Sequence, residues 1–470
     1  MIKTKTLLFG STAALLLSVS AAEAAPLPLS GTPNPDAAAI AVVSRQVIEV
    51  RATGSQKVVP HPLANQSPYA DDMATDFPIA ADATPDIRNV QWAVQNVRGG
   101  GTVRLKPGAH GEAFNFGASA IYLPGINLVG SGFDHRGFPR TTIAGGAEGV
   151  RVNFTEAGDE VRIEGLWFRA SIGHSVISLA TTAARFELID NKFTDAQVQL
   201  TQDTPFTEAF AIAYGTVDRI VLRGNSVDSI DAPVTDGGDT CLEVVSNAYK
   251  SIEISDNHLR TQGLGVFVWA NTNPAGEIVV RRNTIEGVGK GSIYFPTTGI
   301  WVLGDEGARV EIAENRQRLT GYQYAFLLSH ETPGADYIVR DNETLSAKTV
   351  RSVIHLGFED VGLGQIADTL SGARFEGNTF AGDAPIAIDA TDYLDNPFGA
   401  PYFNRASGNR FLRNDFARLS VPAAPAGCKL DLGPSTSNNL FDRNAGLALD
   451  CDLGTNNRLV APSRGCDERR

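Results

Sequence analysis

Five acidic residues lie close together near the middle of the chain, and carboxyl groups so placed can act as acid and base. They are Asp228, Asp231, Asp236, Asp239 and Glu243. Cleavage of a glycosidic bond typically needs two carboxyl groups, one as acid and one as base or nucleophile. Glu243 falls on a predicted strand and Asp236 and Asp239 fall in the turn before it, so the sequence predicts that Glu243 pairs with Asp239 or Asp236. Two alternatives stay open: a solvated acidic turn, and a calcium site, since carboxylate-rich loops suit a hard cation.

A stripe of aromatic and ionisable side chains is predicted to continue from Glu243 along one face of the fold. Apolar residues at alternate positions predict strands at 241–246, 264–270, 298–303, 324–329, 353–357 and 385–389. The side chains predicted to point outward are Glu243, Phe267, Trp269, Trp301, His355 and Asp389. Exposed aromatic patches usually mark binding sites, so Phe267, Trp269, Trp301 and Asp389 are predicted to bind substrate. The alternative is that these aromatic residues form a satellite core, because large aromatic side chains are usually at least partly buried.

A recurring frame around asparagine predicts the elements that would position these residues. Relative to Asn257, the residues five and three before it and two after it are apolar. The frame recurs, fully or in part, at Asn191, Asn225, Asn283, Asn315, Asn342 and Asn378, with Leu166 in the equivalent position and looser copies at Asn409, Asn439 and Asn457. The spacings of 18 to 36 residues are typical of a solenoid coil with variable loops. Each repeat is therefore predicted to be one coil of parallel strands, and asparagine is expected to bend the chain at the corner because it tolerates the left-handed backbone region.

This frame resembles that of the pectate-lyase-like superfamily of right-handed parallel β-helices, whose coils often carry an asparagine ladder. The resemblance covers roughly residues 100–460. It implies an all-β fold, a right-handed parallel β-helix of about ten or more coils, and a substrate groove along the first strand of each coil.

Three weaker resemblances concern activity. Gly238-Asp239-Thr240-Cys241 followed by Gly263-Leu264-Gly265 is similar to the Gly-Asp-Asp-Cys and Gly-His-Gly pattern of polygalacturonase-type hydrolases, but only Asp239 carries over. Cys241-Leu242-Glu243-Val244 with Asn257-His258 is similar to fructan-cleaving β-helix transferases and favours Glu243. Calcium-dependent pectate lyases usually use a basic residue to abstract a proton. The residues that this last resemblance points to are Arg351 and His355.

The two ends of the chain are predicted to lie outside the solenoid. Residues 1–24 read as a signal peptide, with Lys3 and Lys5 before a short apolar run and Ala22-Glu23-Ala24 as the cleavage pattern. Residues 25–84 are expected to be irregular, 85–460 to form the β-helix, and 461–470 to form a tail. Apolar residues at helical spacing within 85–98 predict a short helix that caps the N-terminal end.

Composition narrows the classes of partner. The net charge of −13 argues against nucleic acid, and no later stretch has the roughly 20 apolar residues that membrane insertion needs. A secreted or periplasmic location allows disulfides. Three of the four cysteines lie in the last 43 residues, where a disulfide would fix the final coils, and Cys241 is expected to be a buried thiol. The sequence does not specify an oligomeric state.

The sequence thus predicts an exported carbohydrate-active enzyme that cleaves glycosidic bonds of a polysaccharide or oligosaccharide, as a hydrolase or a lyase. The expected cofactor requirement is none, with Ca²⁺ as the open alternative. The competing hypothesis is a non-catalytic protein with the same solenoid, which binds polysaccharide or serves as a surface structure.

Overall fold

The computed structural model describes residues 47–50, 90, 93–94, 97, 100–110, 121–123, 125–144, 150–152, 157–169, 172–173, 175–180, 182–194, 197–198, 209–228, 240–270, 276–289, 297–304, 307–330, 334–357, 370–392, 403–422 and 427–460. These residues form three long faces of strands, and every strand pairing in them is parallel. Along the chain, each coil contributes to sheet 1, then to sheet 2 and then to sheet 3. The strand Ala209–Arg223 runs through both sheet 1 and sheet 2 and joins them.

The bounds of the strands follow this order. Besides the first part of Ala209–Arg223, sheet 1 contains Ile121–Leu123, Val150–Val152, Ser175–Ala180, Thr240–Ala248, Leu264–Ala270, Thr298–Gly304, Tyr324–His330, Ser352–Leu356, Ile386–Ala390, Cys428–Leu432 and Cys451–Asp452. Besides the second part, sheet 2 contains Val47–Val50, Thr102–Leu105, Asn127–Val129, Glu160–Glu164, Ala183–Ile189, Ser251–Ser255, Glu277–Arg281, Arg309–Ala313, Asp336–Arg340, Arg374–Glu376, Arg410–Leu412, Leu440–Asp442 and Arg458–Val460. Sheet 3 contains Gly108–Ala109, Thr141–Ala144, Leu166–Arg169, Lys192–Thr194, Ser226–Asp228, His258–Thr261, Thr284–Val288, Arg316–Thr320, Glu343–Ala347, Thr379–Asp383 and Asp415–Ser420. A separate pair is Ile172–Gly173 with Gln197–Val198.

The fold is a right-handed parallel β-helix, as the resemblance to the pectate-lyase-like superfamily implies. The predicted alternation is confirmed, because the inward residues of all three sheets form one continuous apolar core inside the coil. Aromatic side chains stack from coil to coil within it. Phe375 and Phe411 lie 4.2 Å apart between ring centroids, and Phe411 and Phe441 lie 5.0 Å apart.

The asparagine ladder exists and lies at the corner between sheets 2 and 3. Its members are Asn191, Asn225, Asn257, Asn283, Asn315, Asn342, Asn378, Asn414 and Asn444. Each amide donates to the side-chain oxygen of the next asparagine; Nδ2 of Asn257, for example, donates to Oδ1 of Asn283 at 2.9 Å. The same Nδ2 also donates to the carbonyl of Leu222 at 2.9 Å. Buried amides are therefore satisfied along the stack, as burial of polar groups requires.

Two details of the predicted ladder were wrong. Asn409, Asn439 and Asn457 form a second ladder, at the corner between sheets 1 and 2. Near the C-terminal end, asparagine occupies both corners of a coil, five residues apart along the chain. The predicted ladder therefore took the asparagine of the wrong corner and missed Asn414 and Asn444.

The left-handed backbone also lies one residue earlier than expected. The residue before each ladder asparagine has positive φ, as in Asp256 (58°), Arg282 (52°) and Glu314 (57°). Asparagine itself is fixed by its side-chain hydrogen bonds, so the bend falls on its neighbour.

The N-terminal part of the described chain closes onto the solenoid. Val90, Ala93 and Val94 are helical and buried in the main core, and the N–H of Val97 donates to the carbonyl of Ala93 at 3.0 Å, as in the helix predicted over 85–98. Val47–Val50, within the segment expected to be irregular, is instead a strand that pairs in parallel with Thr102–Leu105. The predicted signal peptide and C-terminal tail lie outside the described residues.

At the other end, Cys428 and Cys451 form a disulfide between neighbouring coils, with their Cα atoms 5.9 Å apart. Cys241 is buried in the main core and is not disulfide-bonded. Cys466 lies outside the described residues. Within the described part of the chain, no helix has the length and apolarity that crossing a bilayer requires.

Candidate functional site

The outer face of sheet 1 carries a column of side chains in register from coil to coil, which includes most of the predicted site residues. Parallel pairing places Glu243 next to Phe267, Phe267 next to Trp301, and so on through Leu327, His355, Asp389 and Asp431. The prediction that these side chains point out of the coil is therefore confirmed. Trp301, for example, lies between Ile300 and Val302, which belong to the main core, while Trp301 itself does not.

The expectation that the aromatic side chains form an exposed surface was wrong. Leu264, Phe267, Trp301, Leu303, Tyr324 and Leu327 form a second buried cluster outside the coil, with Val245 and Trp269 packed against it. We call this the aromatic cluster. Trp301 is 1% exposed and Phe267 is 4% exposed, with their ring centroids 4.7 Å apart. The apolar side chains bury each other here, so the satellite-core alternative is confirmed, and Trp269 is only half-buried.

Next to the aromatic cluster lies a group of ionisable side chains, which we call the titratable cluster: Tyr324, Arg351, His355 and Asp389. Nδ1 of His355 and Oδ2 of Asp389 are 3.1 Å apart. The ring of Tyr324 lies 5.1 Å from the His355 ring between centroids, and Nη1 of Arg351 donates to the Tyr324 hydroxyl at 3.1 Å. Sequence reasoning named Arg351 and His355 together as basic candidates and Asp389 separately as a substrate-binding residue, and the fold brings the three close because they occupy two neighbouring coils.

Asp389 is held ionised beneath the histidine. Its Oδ1 accepts hydrogen bonds from the backbone N–H of Thr391 at 3.0 Å and from the Thr391 hydroxyl at 2.8 Å. Burial acts to raise its pKa, but the attraction and hydrogen bond of His355 and the two bonds from Thr391 outweigh it, so the pKa of Asp389 lies below its ordinary value. An ionised carboxylate at Nδ1 favours a proton on that nitrogen. When the ring carries a single proton, Nε2 is therefore its basic atom.

Sequence reasoning missed two members of this face. Tyr324 was placed on a predicted strand at 324–329 but was not named as a site residue. Asp431 lies beyond the last strand that the alternation was followed through, in the Cys-Lys-Leu-Asp-Leu run of Cys428–Leu432. That run alternates as clearly as the earlier strands, so the same pattern would have found it.

The predicted pairing of Glu243 with Asp239 or Asp236 lies only partly within the described residues and stays a prediction. Glu243 is on the outer face as predicted and is 3% exposed, whereas Asp236 and Asp239 lie outside the described residues. Glu243 is four coils from His355 in the register, which is roughly 19 Å at the spacing of parallel strands. Among the described candidates, Glu243 therefore lies on one side of the aromatic cluster and His355 and Asp389 lie on the other.

The described part of the chain contains no group of three or more His, Cys, Asp or Glu side chains arranged to hold a metal ion. The alternative of a calcium site in the acidic turn concerns residues 229–239, which lie outside that part, and it stays a prediction.

Comparisons with known proteins complete the description. No protein-family model matches the sequence, and no curated protein matches it. Among solved structures, the chain is similar to a PL6 alginate lyase in complex with a trisaccharide, at 10% identity and a TM-score of 0.36, covering 89% of this chain and 87% of that one. A second alginate lyase shares 11% identity at a TM-score of 0.35, over 78% of this chain and 84% of the other. The A-module of a mannuronan C-5 epimerase from Azotobacter vinelandii shares 15% identity at a TM-score of 0.26, over 79% and 95% of the two chains.

Proposed function

We propose that this protein is an exported polysaccharide lyase that cleaves polymers of uronic acids by β-elimination, with His355 as the base. The observation that carries the proposal is the His355–Asp389 hydrogen bond on the outer face of sheet 1, at 3.1 Å. A carboxylate that holds a histidine in one tautomer leaves the far nitrogen as the atom that can accept a proton. The disulfide between Cys428 and Cys451 supports the export part of the proposal, because such bonds persist in oxidising compartments.

Arg351 supports a uronic acid as substrate. Arg351 is exposed, and its guanidinium donates a hydrogen bond to the hydroxyl of Tyr324. Tyr324 lies on the coil before that of His355. A guanidinium binds a carboxylate in a planar, two-point geometry. Neutralising the carboxylate of a uronic acid makes the proton on the adjacent C5 more acidic, and that proton is the one an elimination must remove.

The proposed chemistry needs few groups. Nε2 of His355 takes the proton from C5, its electron pair forms the C4–C5 double bond, and the C4–O bond breaks. Asp389 stabilises the imidazolium that forms, and Tyr324 packs against the ring and keeps it in place. The His355 side chain is 10% exposed, so its outer edge is the part that would meet substrate.

A substrate panel with product analysis tests the proposal. Purified mature protein is incubated with polygalacturonate, alginate and an uncharged glucan. Elimination is expected from an anionic polymer only, detected as ultraviolet absorbance of the new double bond and as products that have not gained water. His355→Gln should lower kcat by about 100- to 10,000-fold, while His258→Gln, an exposed histidine on sheet 3, should retain activity.

Other results would overturn the lyase assignment. Products that have gained water, with activity lost in Glu243→Gln and kept in His355→Gln, would favour the carboxylate hydrolase predicted from the sequence. Binding without product release would favour the non-catalytic alternative. Trp269, as the half-buried member of the aromatic cluster, is then the first residue to replace.

A further inference from the structure

The outer face of sheet 1 continues past Asp389 to a second aspartate. Asp431 lies on Cys428–Leu432, where Leu430 and Leu432 enter the main core and Asp431 therefore points outward. It is the direct partner of Asp389 in the parallel register. The two backbones are thus about 4.8 Å apart and their side chains share one face.

These two aspartates have opposite surroundings. Asp389 accepts hydrogen bonds from His355 and Thr391, whereas no hydrogen bond or ion pair from the described residues reaches the Asp431 carboxyl group. Its charged neighbours are Asp389 in the coil before and Asp450 in the turn after. Asp450 is held in place by the backbone N–H groups of Lys429 and Leu430, at 3.0 Å.

The remaining charged groups near Asp431 are engaged elsewhere. On its own strand, Nζ of Lys429 donates to the carbonyl of Gly446. On the coil before, Asp392 accepts from the hydroxyl of Ser435. On the coil after, Asp452 accepts from the amide of Asn457, and the Asp431 partner Cys451 is in the disulfide.

Burial and the two neighbouring carboxylates raise the pKa of Asp431 to about 6. The fold thus places an acid that keeps its proton up to about pH 6 beside a carboxylate that loses its own below its ordinary pKa. Two carboxyl groups whose pKa values are pushed apart are a recurrent sign of an acid and a base with separate roles.

We propose that Asp431 is the proton donor of the elimination, a role that rests on the proposed function. Its carboxyl proton passes to the oxygen of the C4–O bond as that bond breaks, while Nε2 of His355 takes the C5 proton. One proton leaves the enzyme and one enters it in each turnover. Exchange with water then restores neutral His355 and protonated Asp431, so the cycle needs no other reactant.

The test compares two leaving groups. Asp431→Asn should lower kcat on the polymer by about 100-fold with little change in KM. The variant should retain its activity on a uronide that carries a 4-nitrophenoxy group at C4, because nitrophenolate leaves without a proton. Asp336→Asn, the same change on an exposed position of sheet 2, should be unaffected on both substrates.

A second variant tests the same role through pH. Asp450→Asn keeps Asp431 but removes a like charge, so the alkaline limb of kcat/KM on the polymer should move to lower pH. Equal losses on both substrates in Asp431→Asn, or an unshifted limb in Asp450→Asn, would overturn the role of Asp431. Full activity of Asp431→Asn beside an inactive His355→Gln would remove this inference and leave the lyase intact. A wild-type protein without elimination activity would remove both.

Discussion

The aromatic cluster and the titratable cluster lie on one face, follow one register and differ in what their side chains do there. In the aromatic cluster, outward residues such as Trp301 and Leu327 are buried among themselves and make a second core. The titratable cluster shares Tyr324 with the aromatic cluster and continues on the next two coils, where His355 and Asp389 pair through a hydrogen bond and reach the surface at their edges. Outward direction in a β-helix therefore does not mean exposure. The same position serves stability in one stretch of coils and is available for chemistry in another.

The largest effect expected from this difference is on stability, at Trp301. Removing a buried tryptophan side chain typically costs 3–5 kcal/mol, roughly, so Trp301→Ala should lower the free energy of unfolding by about that amount. Trp269→Ala is the matched control, because this residue belongs to the same cluster but is half-buried. Its loss should be clearly smaller.

Chemical denaturation measures the free energy of unfolding of the two variants, and retention on immobilised polymer measures whether they still bind polysaccharide. If Trp301→Ala instead kept its stability and lost only polymer retention, the cluster would be a binding surface and the distinction between the two regions would fail.

The next effect concerns the C-terminal coils, which hold the titratable cluster. The disulfide closes a loop with a sequence separation of 23 residues. In the chain-entropy account, a cross-link of that span stabilises the folded state by about 3 kcal/mol, because it restricts the unfolded chain. Cys428→Ser with Cys451→Ser should therefore speed amide exchange in Ile386–Ala390 and Cys428–Leu432. Exchange in Leu264–Ala270 should stay unchanged, since each coil of a solenoid contacts mainly its neighbours.

Cys466→Ser controls for loss of a thiol in general. Uniformly faster exchange along the whole solenoid would show that the coils do not behave as separate units.

Much of the fold could be predicted from the sequence, because a coil is built from local signals. Alternation decides which side chains enter the core, and the asparagine frame repeats at most of the corners between sheets 2 and 3 from Asn191 onward. The sequence pattern did not distinguish the second ladder, at Asn409, from the first. Asn409 and Asn414 each have an apolar residue two positions later, although they lie at different corners.

The site was less predictable than the fold. Alternation gives the direction of Trp301 but not what packs over it, and that depends on contacts distant in sequence. The pairing of His355 with Asp389 depends on a register across 34 residues, which the local pattern does not encode. A possible pair is easy to recognise when the carboxylates are close in sequence, as Asp239 and Glu243 are. Asp389 and Asp431 become neighbours only through the register of the coils, so the sequence does not reveal them as a pair.

The smallest predicted effect separates Asp389, in the titratable cluster, from Asp431, its partner on the next coil, by the sign of their pH dependence. The folded pKa of Asp389 lies below its unfolded value, so its contribution to stability is present above about pH 4 and is lost as pH falls through the folded pKa. The folded pKa of Asp431 lies above its unfolded value, at about 6. Its contribution therefore declines as pH rises from about 4 to 6.

Asp389→Asn should accordingly destabilise the protein most at neutral pH, and Asp431→Asn should stabilise it at neutral pH. Both differences from wild type should shrink as pH falls toward 4 and below. Urea unfolding of the three proteins at pH 3.5, 5 and 7 measures this. Destabilisation of Asp431→Asn at pH 7 would mean that the wild-type carboxylate is stabilised there by a partner, and would contradict the opposite directions of the pKa shifts of Asp389 and Asp431.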